Sequence, residues 1–152
     1  MFKQFRHAFA VLFLMIPVFF AGMQVAQTQT PAKLHRFVIQ VSREDAEGMN
    51  LALNNAMAAK RLYDSRGEQF QVEIVAYGPG ITMLREDKSP VKERIEEAKK
   101  AIPGLSMCGN AKAGAEKREG HEITPLPGVG VVPAGVVRVA ELQEQGWTYI
   151  RP

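Results

Sequence analysis

The sequence predicts an α/β protein, a three-layer sandwich built on a mostly parallel sheet of about five strands. Short segments rich in Val, Ile and Phe alternate with longer segments whose apolar residues recur every three or four positions. The apolar end of "FQVEIVAY" (70–77) is nearly continuous, which is typical of a strand covered on both faces. Short connections between alternating strands and helices favour parallel strand pairing.

In the first half of this domain, "RFVIQVS" (36–42) and "FQVEIVAY" (70–77) are the predicted strands. A helix is expected between them at 44–63, because Ser42 with Asp45 three residues later resembles a capping box. Its apolar face is predicted to comprise Met49, Leu53, Ala56, Ala59 and Leu62. "ITML" (81–84) is expected to form one helical turn, and Ser89-Pro90 to start a helix over 91–102.

In the second half, strands are predicted at "LSMC" (105–108), "GVGVVP" (128–133) and "WTYIR" (147–151). The helices between them are expected at 110–120, weakened by Gly114, and at 134–146. Ligands of parallel α/β sheets gather at the carboxyl ends of the strands. Two segments follow strands at that edge, "YGPG" (77–80) and "CGN" (108–110), and they form the candidate site.

The first 26 residues are typical of a secretory signal peptide. Lys3 and Arg6 precede an uncharged stretch from Ala8 to Met23, which is shorter than the roughly 20 residues that a spanning helix needs. We expect cleavage after Ala26, with a tether over 27–35, a domain over 36–152 and a periplasmic or secreted protein. The alternative is that the segment is retained and anchors the protein to the membrane. Only in that case do we expect a membrane among its partners.

Composition narrows the function classes. Apolar residues make up 46% and charged residues 23% of the chain. Loss of Lys3 and Arg6 with the signal lowers the net charge from +3 to +1, and no basic stripe interleaved with aromatics is present, so nucleic acid is not an expected partner. The chain lacks GxGxxG, a P-loop and CxxC, and no cofactor is expected. Cys108, His35 and His121 are too few soft donors to predict a metal site.

Cys108 is the only cysteine, so it cannot form an internal disulfide. At a strand's carboxyl end, with a helix predicted to start near Asn110, the thiol would lie at the positive end of the helix dipole, which favours the thiolate. Gly109 permits a sharp turn and leaves backbone amides open to an anion. This geometry suits a nucleophilic or sulfur-carrying cysteine that is partly accessible. The alternative is a buried cysteine that acts as a small apolar residue.

The segments "ALNNA", "VEIVAYGPGITML", "SPVKERI", "CGN" and "VVPAGVVRVAELQEQGWTYIRP" resemble, in order and spacing, the DsrE/DsrF-like family, and in particular its exported and largely uncharacterised members. The resemblance covers residues 36 to 152. Two positions depart from it: similar proteins often have asparagine near Ala58 and threonine in place of Ala111.

The resemblance implies an α/β sandwich assembled as trimers or hexamers, and a role in sulfur relay. Cys108 corresponds to the cysteine that carries persulfide sulfur in similar proteins, and Tyr77, Gly78, Pro79 and Gly80 correspond to the glycine loop beside it. We therefore expect an exported homo-oligomer that exchanges sulfur with a donor or acceptor protein. Two other functions remain open: a non-catalytic module in which the loop, Gly109 and Asn110 bind a small ligand or anion, and a structural subunit of an assembly. A sulfur carrier would need no enzymatic turnover of its own.

Overall fold

The structure is a computed structural model that describes residues 33–152. Strands and helices alternate along this part of the chain, as the sequence predicts. The strands are β1 (Leu34–Val41), β2 (Gln69–Ala76), β3 (Gly104–Cys108), β4 (Gly130–Val132) and β5 (Thr148–Ile150). The helices are α1 (Ala46–Ser65), a 3-10 helix (Gly78–Leu84), α2 (Lys92–Ala98), α3 (Gly109–Glu119) and α4 (Gly135–Glu144).

The five strands form one sheet in the order β4-β3-β2-β1-β5. Every neighbouring pair in it is parallel. The long central pair is β1 with β2, in a register that places Leu34 opposite Gln69 and Val41 opposite Ala76. The carboxyl ends of β1, β2 and β3 therefore meet at one edge of the sheet, and this edge holds the candidate site.

Helices cover the two faces of the sheet unequally. The 3-10 helix, α1, α2 and α3 pack on one face and form the larger core, which includes Ile39, Met49, Ile74 and Met83. On the other face, α4 supplies Val139 and Leu142, which pack against Val38 of β1 and Val75 of β2. The result is the predicted three-layer sandwich, in which the sheet lies between the larger helical layer and a layer formed by α4.

Helix α1 differs from its predicted start and apolar face. Asp45, rather than Ser42, is the N-cap, because its Oδ1 accepts a hydrogen bond of 2.6 Å from the Gly48 amide. Leu62 is 48% exposed, whereas Tyr63 stacks on Phe70 with ring centroids 5.4 Å apart. A spacing of seven residues from Met49 through Ala56 leads to position 63, so the face turned to the sheet passes through Tyr63 and not through Leu62.

The other boundaries shift by a few residues. Leu34 and His35, predicted to belong to the tether, are the first residues of β1. Helix α2 spans 92–98 rather than 91–102. Its N-cap is Val91 and not the predicted Ser89, whose Oγ instead donates to the Met83 carbonyl at 2.5 Å. Ile102 lies beyond the helix and is nevertheless fully buried.

In the described part of the chain, residues 33–152, none of the helices combines the length and the apolar composition that a membrane span requires. The predicted signal peptide at 1–26 and most of the predicted tether lie outside the described residues.

Candidate functional site at the carboxyl end of β3

Strands β2 and β3 bring Tyr77 and Cys108 together. Their register pairs Ala76 with Met107, so the next residue along each chain segment, Tyr77 after β2 and Cys108 in β3, lies at the same level of the sheet edge. Gly135, the first residue of α4, lies against both. A Cβ atom added there would come within 2.7 Å of the Tyr77 Cβ atom and 3.1 Å of the Cys108 Cβ atom. Two separated sequence motifs and the start of α4 thus converge on one point.

Cys108 is the N-cap of α3. Its Sγ atom accepts a hydrogen bond from the Ala111 amide at 3.5 Å, and its backbone is extended, as N-cap residues require. Helix α3 begins at Gly109, one residue before the predicted start near Asn110, so Cys108 rather than Asn110 occupies the N-cap position. The sulfur therefore lies closer to the helix amides than the sequence indicates. The positive end of the helix dipole and one direct N–H donor both face this sulfur.

Cys108 is less accessible than its sequence context predicts. The residue is only 6% exposed, so the prediction of a partly accessible thiol does not hold for this chain. The backbone after β4 covers the junction: the Asn110 amide donates to the Pro133 carbonyl at 3.2 Å, and a Cβ atom on Gly109 would lie 3.2 Å from the Val132 carbonyl oxygen. These contacts, together with Gly135, separate the thiol from solvent.

The glycine loop 78–80 is the first turn of the 3-10 helix. Gly80 is buried against the end of β1, where an added Cβ atom would lie 2.3 Å from the Val41 carbonyl oxygen. Its amide donates to the Tyr77 carbonyl at 3.1 Å, and Pro79 has no amide hydrogen to offer. Packing accounts for Gly80, while Gly78 and Pro79 are exposed beside Tyr77. Ligand binding by this loop, by Gly109 or by Asn110 stays a prediction.

Tyr77 is half-buried and packs against the apolar clusters on both faces of the sheet. Burial raises the pKa of its phenol above the usual value, the nearby Tyr149 adds to this rise, and Arg151 opposes it. The phenol of Tyr77 is therefore uncharged at ordinary pH, and this residue lies beside Cys108. Tyr149, on the edge strand β5, donates its hydroxyl hydrogen to the Gln40 side chain at 2.5 Å.

A polar triad under α4, in which Glu73 and Ser106 are buried and Arg138 is partly exposed, was missed by sequence reasoning. Glu73 of β2 is 7% exposed, and its two carboxylate oxygens accept hydrogen bonds of 2.9 and 2.7 Å from the Arg138 guanidinium. Ser106 of β3 donates a third bond of 2.6 Å to the same carboxylate. Burial alone would raise the pKa of Glu73, but the bonds from Arg138 and Ser106 outweigh it and lower the pKa. An acid within the apolar run 72–76 was the available signal, since a buried group of this kind needs a partner.

Three residues outside the site come close enough to share a cation: Asp87, Glu119 and His121, all exposed. Both carboxylates already hold the buried Arg85 guanidinium, at 2.6–2.9 Å. Arg85 and Lys88 lower the pKa of Glu119, and Arg85 lowers that of Asp87. The arrangement is that of an ion-pair network joining the end of the 3-10 helix to the end of α3.

The comparisons with known proteins agree with this architecture. The family model described as the DsrE/DsrF-like family matches residues 35–152. The chain belongs to this family.

Among solved structures, the chain is similar to the protein of unknown function MTH1491 from Methanobacterium thermoautotrophicum. The identity is 28%, the TM-score is 0.63, and the alignment covers 78% of this chain and 99% of that one. No curated protein matches. The family model carries the family assignment, and the similarity to MTH1491 supports the α/β fold.

Proposed function

We propose that this protein is a sulfur carrier or sulfur-relay protein, with Cys108 as the acceptor of a persulfide sulfur. Family membership supports this class, since the DsrE/DsrF-like family is associated with sulfur relay. The observation that carries the proposal for this residue is the hydrogen bond from the Ala111 amide to the Cys108 sulfur at the start of α3. A second sulfur-containing partner is required, because the chain has one cysteine.

The proposed exchange needs no external oxidant. The Cys108 thiolate attacks the outer sulfur of a donor persulfide, the donor's sulfur–sulfur bond breaks, and the donor thiolate leaves. The new bond joins the transferred sulfur to the Cys108 Sγ atom. Release is the same displacement with an acceptor thiolate as nucleophile and Cys108 as leaving group. Stabilisation of a negative Cys108 sulfur by the helix amides assists both steps.

Intact mass measurement tests this proposal. The purified protein is incubated with a low-molecular-weight persulfide, freed of it, and measured with and without a reducing thiol. We expect a mass increase of one sulfur atom that the reducing thiol removes. Cys108→Ser is the matched control, because it keeps an N-cap acceptor but cannot hold a persulfide. An unloaded parent protein, or equal loading of the serine variant, would contradict the proposal.

A specific observation also favours a second candidate, a role in assembly. Val131, Val136 and Val137 are 51–62% exposed. Val131 belongs to the edge strand β4, and the other two belong to the first turn of α4, near the backbone that packs on Cys108. Exposed apolar residues beside a short edge strand are typical of a protein–protein contact. We propose that this surface binds other copies of the chain, in a trimer or hexamer, or a sulfur donor or acceptor protein. Sedimentation of Val137→Lys against the parent tests the first case, and a single-chain mass for the parent would contradict it.

We further propose that the protein acts in the periplasm or outside the cell, on the basis of the signal-like residues 1–26. The alternative is attachment to the membrane through that segment. The mass of the mature protein distinguishes the two, because cleavage after Ala26 leaves Gln27 as the first residue. Recovery of the uncleaved chain from the cytosol would contradict export.

A further inference from the structure

Residues 131–138, here called the cover segment, comprise the end of β4 and the first turn of α4, and they lie against Cys108 and the start of α3. Gly135 provides the closest approach, since a side chain of even one carbon at this position would collide with Tyr77 and press on Cys108. With these contacts in place Cys108 is only 6% exposed, so movement of the cover segment would give a persulfide donor access to the sulfur.

One side chain ties the cover segment to the sheet below it. Arg138 lies three residues after Gly135, and its backbone amide donates to the Ala134 carbonyl at 3.0 Å, which makes it part of the first turn. Its guanidinium forms two bonds to the buried Glu73 carboxylate. Glu73 in turn accepts from Ser106, which lies two residues before Cys108 on β3. Because side chains alternate along a strand, Ser106 and Cys108 lie on the same face of the sheet, the face that α4 covers.

We propose that Glu73 and Arg138 are positioning residues that hold the cover segment closed over Cys108 and so control the access of sulfur-bearing partners to the thiol. The inference rests on the proposed role of Cys108 for its functional meaning, but the closure itself is a separate physical statement. Opening the first turn withdraws Arg138 and leaves a carboxylate without its cation. Such a loss is strongly unfavourable for a buried group, so the closed state dominates.

The alkylation rate of Cys108 by iodoacetamide, measured under native conditions, tests this closure without any sulfur chemistry. In Arg138→Met the long apolar stem remains while both bonds to Glu73 are lost. We expect alkylation about tenfold faster than in the parent, because local opening becomes less costly. Arg138→Lys keeps the charge and one donor, and it is expected to restore most of the protection. This rescue separates closure by the ion pair from a simple loss of packing.

Glu119→Gln is the matched control. It removes a carboxylate that binds Arg85 at the far end of α3, about 16 Å along the helix from Cys108. Its alkylation rate is expected to change no more than its global stability predicts, as measured by urea unfolding of each variant. Equal rates in the parent and Arg138→Met, or an equal rise in Glu119→Gln, would overturn the proposal. If Arg138→Met does not fold, Arg138→Lys and Glu73→Gln decide the question by the same comparison.

Sulfur loading of the same variants separates the two proposals. Faster alkylation of Arg138→Met without any loading in parent or variant would retain the closure and reject Cys108 as a sulfur carrier. The opposite result is sulfur loading of the parent with alkylation rates that do not change when Arg138 is replaced. It would support Cys108 as a sulfur carrier and reject closure by Glu73 and Arg138.

Discussion

Replacing Cys108 by serine and by alanine tests whether its sulfur acts as the cap of α3. The sulfur is buried, but its position is not that of an ordinary apolar core atom, since it accepts a hydrogen bond from the Ala111 amide. A serine hydroxyl at the same position would find this donor instead of being buried without a partner. An alanine would leave the amide at the helix start without its side-chain acceptor.

The magnitudes follow from these contacts. Loss of an N-cap acceptor costs about 0.5–2 kcal/mol, and serine is among the best N-cap residues. Burying a hydroxyl in place of a sulfur loses about 1 kcal/mol of apolar transfer free energy, which the better cap largely offsets. We therefore expect Cys108→Ser to lie within about 1 kcal/mol of the parent. Cys108→Ala is expected to be less stable than Cys108→Ser by about 1 kcal/mol, or about 3–5 °C in Tm for a domain of this size.

Urea unfolding followed by circular dichroism measures both differences, with the parent kept reduced so that no disulfide forms between chains. The comparison of serine with alanine is the informative one, because both remove the sulfur and only serine can cap. An alanine variant as stable as the serine variant would refute the capping role. The sulfur would then be a small apolar filler, and the support for a stabilised thiolate would be lost.

Three further predictions follow from the described contacts. Gly80→Ala should destabilise the domain by about 1–3 kcal/mol in urea unfolding, because the new Cβ atom would overlap the Val41 carbonyl oxygen; unchanged stability would contradict this packing. Gly135→Ala should accelerate alkylation of Cys108, because the added Cβ atom displaces the start of α4; slower or unchanged alkylation would show that the turn absorbs it. The pKa of Glu119 is lowered in the folded state, so the stabilisation from its carboxylate is complete above the unfolded pKa of about 4.3 and is lost as the pH falls below that value. The urea midpoint of the parent should therefore drop more between pH 5 and pH 3 than the midpoint of Glu119→Gln. Parallel pH curves for the two proteins would contradict this assignment.

The core-facing residues of the central strands could be predicted because they follow from local pattern alone. Val72, Ile74 and Val75 form a nearly continuous apolar run, which requires cover on both faces, and the structure buries all three. Helix boundaries were less well determined, because capping depends on which side chain reaches a free amide. Asp45 and Cys108 take that role although Ser42 and Asn110 are at least as good by type.

Local sequence patterns were enough to predict the alternation of strands and helices, the parallel sheet and the placement of Cys108 at a strand's carboxyl end, since each depends on neighbours within a few residues. The contact of Gly135 with Cys108 and the bonds from Arg138 to Glu73 could not be predicted in this way, because these residues are 27 and 65 positions apart in the sequence. The exposure of the Cys108 thiol could not be predicted from the local sequence for the same reason. It depends on how closely α4 packs on the sheet, where Gly135 lies against Cys108 and Arg138 pairs with the buried Glu73 carboxylate.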